Sequence, residues 1–340
     1  MAEWFIHILI LNISFGADER LIQIAFSADM YYLIGFQKLR KNAADSLIDR
    51  DGAETSADDQ DYWAIGRKMG VLESRQTIPV QRGATMETIT SRDNAKIKYA
   101  CAVRDSEKQR AADGLFFAEG PKLCLELAKS CTPRTVYATA AALAKTPELA
   151  TLAPAEIAPH VAEKLSGTKS NQGVFALFET PTPPADTLDT ARRILMLEGV
   201  QDPGNVGTLL RSAAAFGFDA VVLGPGCASP LSPKTLRSSM GAAGRLPTLH
   251  SADLPAALAQ LRSRGVTTLA AALYRSRPLD EAGNDFPNGV CVVIGSEGQG
   301  LTQQTVEACD MAVRIPMTDR VESLNAAVAG SVLLWHFRGV

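Results

Sequence analysis

The stretch DPGNVGTLLRSAAAFG, Asp202 to Gly217, constrains the fold most, because a tight strand-exit turn runs straight into an amphipathic helix with one arginine near its apolar face. Upstream, Arg193 to Val200 (RILMLEGV) is a short apolar run of strand type, and Asp202-Pro203-Gly204-Asn205 is a dense turn signal. Asn205 is placed to cap the helix. Val206, Leu209, Leu210, Ala213 and Ala214 recur at helical spacing, and Gly217 supplies the residue past the last turn. Arg211, taken alone, reads as a surface arginine holding an acidic neighbour. Its place in the chain argues for more.

A chain of 340 residues, 46% of them hydrophobic, can bury a substantial core and divide into two or three domains. Its six cysteines, Cys101, Cys124, Cys131, Cys227, Cys291 and Cys309, form no C-x-x-C pair, and the four histidines lie far apart. That argues against a zinc site or a disulfide scaffold and for reduced thiols in a cytoplasmic protein without metal. The longest apolar stretches, Trp4 to Ile13 and Ala326 to Trp335, are too short to span a bilayer, and the first lacks a basic n-region. Net charge is −3, but residues 1–85 hold 12 acidic and 9 basic residues, which leaves the remainder balanced at 25 of each sign. There Arg92, Lys96, Lys98, Arg104, Lys108 and Arg110 cluster, a run that suits either phosphate contacts or a solvated helix face.

Residues 1–85 show no sustained hydrophobic period, and Asp49 to Asp61 reads as loop or disorder. Patterning begins at Met86, the expected start of the functional unit, with the segment before it a spurious or flexible extension. METITSRDNAKIKYACAVRDSEKQR opens on a turn and becomes helical. Leu115 to Ala118 is strand-like, Pro121 to Ser130 is a helix with proline in its first turn, and Arg134 to Ala138 and Gly173 to Phe178 are strands. Residues 86–180 thus form a small α/β domain, followed by a proline-rich linker over 181–189. Over 190–340, strands and helices alternate: Ala220 to Leu223, Pro233 to Met240, Thr267 to Leu273, Gly289 to Ile294, Met311 to Pro316, and an apolar helix from Ser323 to Phe337. Such alternation indicates a parallel sheet covered on both faces.

Three polar loops follow strands in this last domain: DPGN at 202–205, GSEGQGL at 295–301 and PMTDRVESLN at 316–325. Ligands bind at the carboxyl ends of the strands of an open parallel sheet. Gly295, Gly298 and Gly300 let backbone approach a ligand closely, while Glu297 puts a carboxylate where a pyrophosphate would be repelled. The spacing is neither the dinucleotide fingerprint nor the P-loop pattern. A cationic or neutral cofactor with an apolar base suits these loops better, and S-adenosylmethionine, with its positive sulfonium, answers that description. Any one glycine turn is ordinary; three such loops in one domain are not.

These residues resemble the SpoU/TrmH class of RNA ribose 2′-O-methyltransferases in the SPOUT superfamily. DPGNVGTLLRSAAAFG looks like motif 1, IGSEGQGL like motif 2 and RIPMTDRVESLNAAVAGSVLLW like motif 3, and SPKTLRSSMGAAGRLP is similar to the stretch between motifs 1 and 2. ITSRDNAKIK, FFAEGPKLCLEL and KLSGTKSNQGVFAL resemble the RNA substrate-binding domain that precedes the catalytic domain in many members. The resemblance covers residues 86–340 and departs at Thr318 to Arg320, where relatives commonly carry a glycine.

The resemblance implies an α/β fold in which a parallel-sheet methyltransferase domain with a deep trefoil knot follows a small α/β domain of ribosomal-protein-like fold. It implies an S-adenosylmethionine-dependent enzyme that methylates a ribose 2′-hydroxyl of structured RNA. Gly295, Ile315, Leu324 and Ala329 then fall at the cofactor, Arg211 on the catalytic arginine, and Asn205, Glu297, Ser323 and Asn325 on the other polar active-site positions. It also implies a homodimer in which the partner completes each site. The extra N-terminal domain, typical of ribosomal enzymes, makes 23S ribosomal RNA the expected acceptor and transfer RNA the alternative.

Arg211 admits two mechanisms, since a guanidinium is a poor general base. It either loses its proton in a desolvated site and takes that of the hydroxyl, or stays charged and clamps the adjacent phosphate, making the hydroxyl easier to ionise. Rival readings are a base methyltransferase of the same superfamily and a non-catalytic RNA-binding ribosome-assembly factor. The Asn205 to Arg211 spacing and VESLN favour the ribose enzyme, and Arg211, Glu297 and Asn325 together favour a catalyst. No dinucleotide fingerprint supports a dehydrogenase, and no GxSxG elbow or metal cluster supports hydrolysis.

Overall fold

The computed structural model describes residues 88–168, 170–283 and 285–338, all within one compact unit. The segment 1–85, with its apolar run from Trp4, lies outside the described residues. The first half comprises α1 (Ala95–Asp105), α2 (Glu107–Asp113), β1 (Leu115–Glu119), α3 (Pro121–Leu127), β2 (Pro133–Ala138), α4 (Ala140–Lys145), β3 (Ala155–Glu156), α5 (Pro159–Leu165) and β4 (Val174–Glu179). Its sheet runs β1-β4-β2-β3, antiparallel except for the β2/β3 pair.

Strand alternation sorts the side chains of this sheet. Phe117, Phe175 and Leu177 join Ile97 and Val103 of α1 and Val161 of α5. Phe116, Ala118 and Phe178 share a core with Leu123 and Leu127 of α3. Phe116 stands opposite Phe178 with ring centroids 5.5 Å apart, an aromatic cross-strand pair that pins the register.

The basic run divides on folding. Arg104 donates to the carbonyls of Lys164, Leu165 and Ser166 at 2.9, 2.9 and 3.1 Å, and the buried Arg110 donates to those of Val103 and Arg104. These two guanidiniums satisfy the open carbonyls of helix C-termini. Arg92 pairs with Glu163 and Lys98 with Asp93 at the surface. The run is therefore not one phosphate-binding stripe.

The second half comprises α6 (Thr187–Thr190), β5 (Arg193–Leu197), α7 (Pro203–Ala215), β6 (Ala220–Leu223), α8 (Pro233–Ser239), β7 (Thr248–His250), α9 (Leu254–Ser263), β8 (Thr267–Ala271), β9 (Arg277–Pro278), β10 (Val290–Ile294), α10 (Gln303–Ala308), β11 (Met311–Arg314) and α11 (Ala326–His336). Its seven strands run β7-β6-β5-β10-β8-β11-β9, every pair parallel. Leu195, Leu197 and Ile294 join Leu209 of α7 and Leu334 of α11 on one face. Met196, Val222 and Val293 join Leu258 and Leu261 of α9 on the other. Both faces are covered, as the apolar runs require.

Two helix starts differ from expectation. Asp202, not Asn205, caps α7, accepting from the Gly204 amide, because Pro203 at the first helical position sets the entry φ and draws the start of the helix forward. α11 begins at Ala326 rather than Ser323, because Asn325 accepts from the amides of Ala327 and Val328 and so fixes the boundary. Ser323 and Leu324 are thereby left in the loop.

The turn Gly241–Gly244 seats α3 of the first sheet: a Cβ at Gly244 would stand 2.6 Å from Leu127 Cδ2 and 2.9 Å from Cys131 Sγ. Arg245 pairs with Glu126 at 3.3 Å beside it. The two sheets consequently share one apolar core. No helix among the described residues is long and apolar enough to cross a membrane.

Candidate active site

Because β5, β10 and β11 are parallel, their exit loops emerge at one edge of the sheet, and the insertion of β10 beside β5 brings motif residues together across long separations. Asn205 Nδ2 donates to Glu297 Oε1, 92 residues away. Asn325 Nδ2 donates to Asn205 Oδ1 at 3.2 Å, across 120 residues. The direction of this chain is set by backbone: Asn325 Oδ1 accepts from the Ala327 and Val328 amides, so its Nδ2 must face Asn205, whose own Nδ2 must then face the carboxylate. The cap displaced from Asn205 to Asp202 is what frees the Asn205 amide for this role.

Helix α7 is held by residues that the sequence reading did not single out. Lys234 of α8 reaches both Asp202 oxygens at 3.1 and 3.2 Å. The Gly204 amide and the Lys234 ammonium hold that carboxyl below the usual carboxylate range. Gly207 is the contact point of the two helices: a Cβ there would meet Ser238 Oγ at 1.9 Å and the Thr235 carbonyl oxygen at 2.6 Å. Glu198, just past β5, accepts from the Thr302 amide and from the hydroxyls of Thr302 and Thr305, fastening the far end of the second loop. The signal for Glu198 was its place between strand and turn; the threonines it binds are over a hundred positions on.

The second loop closes on itself through Ser296 and Gly300, whose amides and carbonyls exchange bonds of 3.0 and 3.3 Å. A Cβ on the buried Gly295 would stand 2.3 Å from the Gly300 carbonyl carbon and 2.4 Å from the Leu301 nitrogen. The glycine therefore admits the returning loop backbone. Gly298 and Gly300 have open space where a Cβ would stand, and Gly300 is needed for its φ of +69°. In the third loop, Thr318 to Arg320 make their turn without a positive φ, which is why no glycine is required there.

Glu297, Ser323 and Asn325 are exposed, Ile315 and Leu324 half-buried, and Ala329, also half-buried, lies one turn inside α11 with its amide on the Asn325 carbonyl. Ser323 is not joined to the Asn205 chain by any hydrogen bond. Arg211 is exposed on α7, about 9 Å further along the helix axis than Asn205, and outside that chain. Among the described residues no carboxylate lies within 4.0 Å of it, so it is not the surface arginine with an acidic neighbour.

Beside α7, α11 leaves Val328, Val332 and Trp335 exposed at 51, 38 and 53%. With Thr208, Ala327 and Ser331 they line a hollow of about 540 Å³. Ser212 and Ser331, bonded at 2.8 Å, tie the two helices together. Among the described residues no group of three or more His, Cys, Asp or Glu side chains could hold a metal. Cys227, the thiol beside the β5 exit, bonds the Leu197 carbonyl, and burial pushes its pKa up.

The chain matches two family models, the SpoU rRNA methylase family over residues 192–335 and the MRM3-like substrate binding domain over 94–176. It is 37% identical over 179 residues to the 23S rRNA (guanosine(2553)-2′-O)-methyltransferase RlmP of Bacillus subtilis, an alignment covering 50% of this chain and 71% of that one. The fold is similar to an AdoMet-bound rRNA methyltransferase from Sinorhizobium meliloti, with TM-score 0.65, 25% identity, and coverage of 74% of this chain and 97% of that one. It is also similar to a crystallised RNA 2′-O ribose methyltransferase, with TM-score 0.61, 27% identity, and coverage of 74 and 97%. With strand-exit loops gathered at one sheet edge, and both halves of the chain matched in order, the chain belongs to the SpoU rRNA methylase family.

Proposed function

We propose that the chain transfers a methyl group from S-adenosylmethionine to a ribose 2′-hydroxyl of 23S ribosomal RNA. The observation that carries this reading is the Glu297, Asn205, Asn325 chain, which ties the three motif loops into one polar edge beside the unpaired Arg211. The named activity of the Bacillus subtilis relative and the match of residues 94–176 to a substrate-binding model support the choice of ribosomal RNA. In this reading residues 86–180, with a ribosomal-protein-like fold, bind RNA, 181–189 link, and 190–340 catalyse.

S-adenosylmethionine supplies an electrophilic methyl on a cationic sulfur when bound. The residues present suit it: Ile315 and Leu324 offer half-buried apolar surface, Glu297 an exposed carboxylate, and loop 295–301 contains no cation. Gly295, Ile315, Leu324 and Ala329 would hold it. Arg211 keeps its planar fork free, which suits the phosphate clamp. Asn205 supports the ribose, and Ser323 and Asn325 position the nucleotide.

A deep trefoil knot is supported by β10, which enters between β5 and β8 out of chain order, and by α11, which returns onto α7. The apolar face of α11, running beside the arginine helix, supports a homodimer in which the partner completes each site. Six free cysteines support a cytoplasmic setting.

Arg211→Ala is expected to bind S-adenosylmethionine as the parent does while losing at least about a hundredfold in turnover, and Arg211→Lys is expected not to restore it. Val332→Glu should give monomers by sedimentation. RNA carrying a 2′-deoxy residue at the target should go unmethylated. Methylation of that RNA would overturn the ribose assignment in favour of the base.

A further inference from the structure

At the edge of the large sheet away from the three loops, the N-terminal ends of β5 and β10 and the end of α11 enclose a hollow of about 230 Å³. Arg192, Arg193, His336 and Arg338 line it, with Phe286 and Phe337. Arg193 Nε and His336 Nε2 are shielded from solvent and, among the described residues, have no hydrogen-bond partner. Buried polar atoms are normally paired, so two unpaired nitrogens in one hollow mark a place built for a partner.

The nearby carboxylates do not serve these groups. Asp219 Oδ2 is occupied by the backbone amides of Arg192 and Arg193, both at 2.8 Å. Asp280 acts on His336 only through space. Backbone carbonyls steady the outer guanidiniums: Arg192 Nη2 donates to that of Pro287, and Arg338 Nη1 to that of Trp335 at 2.8 Å, with its guanidinium stacked 4.4 Å above the Trp335 ring. Each retains further N–H donors. Burial, reinforced by Arg338 and opposed by Asp280, holds the His336 imidazole below its usual range.

We infer that this hollow binds a phosphate group, with Arg193 and His336 turning their shielded nitrogens toward it and Arg192 and Arg338 donating from its rim. Guanidinium forks match phosphate oxygens in pairs, the two non-bridging oxygens of a phosphodiester monoanion as well as the three of a phosphate monoester dianion. The phosphate belongs either to the RNA chain or to a phosphorylated small molecule. The inference does not depend on the methyl-transfer reading.

The test titrates the full chain with inorganic phosphate at ionic strength held constant with chloride, following heat and the His336 ring signals by NMR. The expected result is saturable binding that moves the His336 signals and raises the midpoint of their titration, weakened at least tenfold in Arg193→Met and in Arg338→Met. Absence of saturable binding, a His336 signal that does not move, or binding by either variant as tight as the parent's overturns the inference. Should a variant fail to fold, the parent's His336 signal still decides. A short RNA that phosphate displaces and that Arg193→Met binds tenfold more weakly identifies the RNA backbone as the source. Unchanged RNA binding in that variant, with phosphate binding lost, identifies a small molecule.

Discussion

Asn325 combines a structural and a chemical duty, and Asn325→Asp separates them. Its Oδ1 caps α11 at 3.0 and 3.2 Å, while its Nδ2 donates to Asn205 at 3.2 Å. Aspartate caps as well as asparagine, so Asn325→Asp should lose only the bond to Asn205, about 1 kcal/mol, whereas Asn325→Ala should lose about 2 kcal/mol, cap and bond together. Aspartate lacks the donor, however. Asn205 must then either face a carboxylate with its carbonyl or turn its amide, which sets that carbonyl against Glu297. One neutral hydrogen bond contributes about 1 kcal/mol and one to a carboxylate about 1.5 kcal/mol at the lower end suited to an exposed site. A loss near about 1.4 kcal/mol is tenfold in rate, so turnover should fall about tenfold or more in a fully folded protein. Methyl transfer from labelled S-adenosylmethionine to a ribosomal RNA fragment, run beside urea denaturation, reads both quantities. Full turnover in Asn325→Asp would show that the amide chain has no part in the chemistry, and a stability loss matching that of the alanine variant would show that the cap argument is wrong.

Other outcomes follow from the same geometry. Gly295→Ala should abolish S-adenosylmethionine binding in calorimetry and Gly298→Ala should not, since only the first would drive a methyl into loop backbone at 2.3 Å; equal behaviour of the two would refute the closure argument. Gly207→Ala should cost about 1–3 kcal/mol in urea denaturation through overpacking of α7 on α8, and a neutral result would mean that Ser238 swings aside freely. At Asp310, burial raises the carboxyl, but bonds from the Thr268 amide and hydroxyl and from Arg262 outweigh it and hold it below the usual range. Its contribution is then full above the ordinary carboxylate range near about 3.9 and fades as pH falls through the lowered value. Between about pH 6 and about pH 3, Asp310→Asn should lose less stability than the parent, and equal losses would remove Asp310 from the account.

What could be read from the chain was local. The runs 193–197, 220–223 and 290–294 are strands because continuous apolar residues can only be satisfied by burial on both faces, and the three polar loops sit where those runs stop. α7 and the proline-started α3 follow from spacing and turn chemistry. Cap identity was already less secure: DPGN holds two good capping residues, and only the backbone path through Pro203 chose Asp202. The basic run from Arg92 to Arg110 could not be divided by inspection, because the carbonyls that Arg104 satisfies belong to residues 164–166.

The sequence by itself determined the principal strands and helices and the residue types offered at one sheet edge, since these depend on neighbours a few positions away. Tertiary structure alone decided that β10 lies beside β5, that Asn205 bridges Glu297 and Asn325, and that Gly207 and Gly295 admit Ser238 and the loop backbone. Those contacts join residues up to 120 positions apart. A hydrogen bond or a missing Cβ acts over about 3 Å, and only the folded path of the chain sets which atoms come that close.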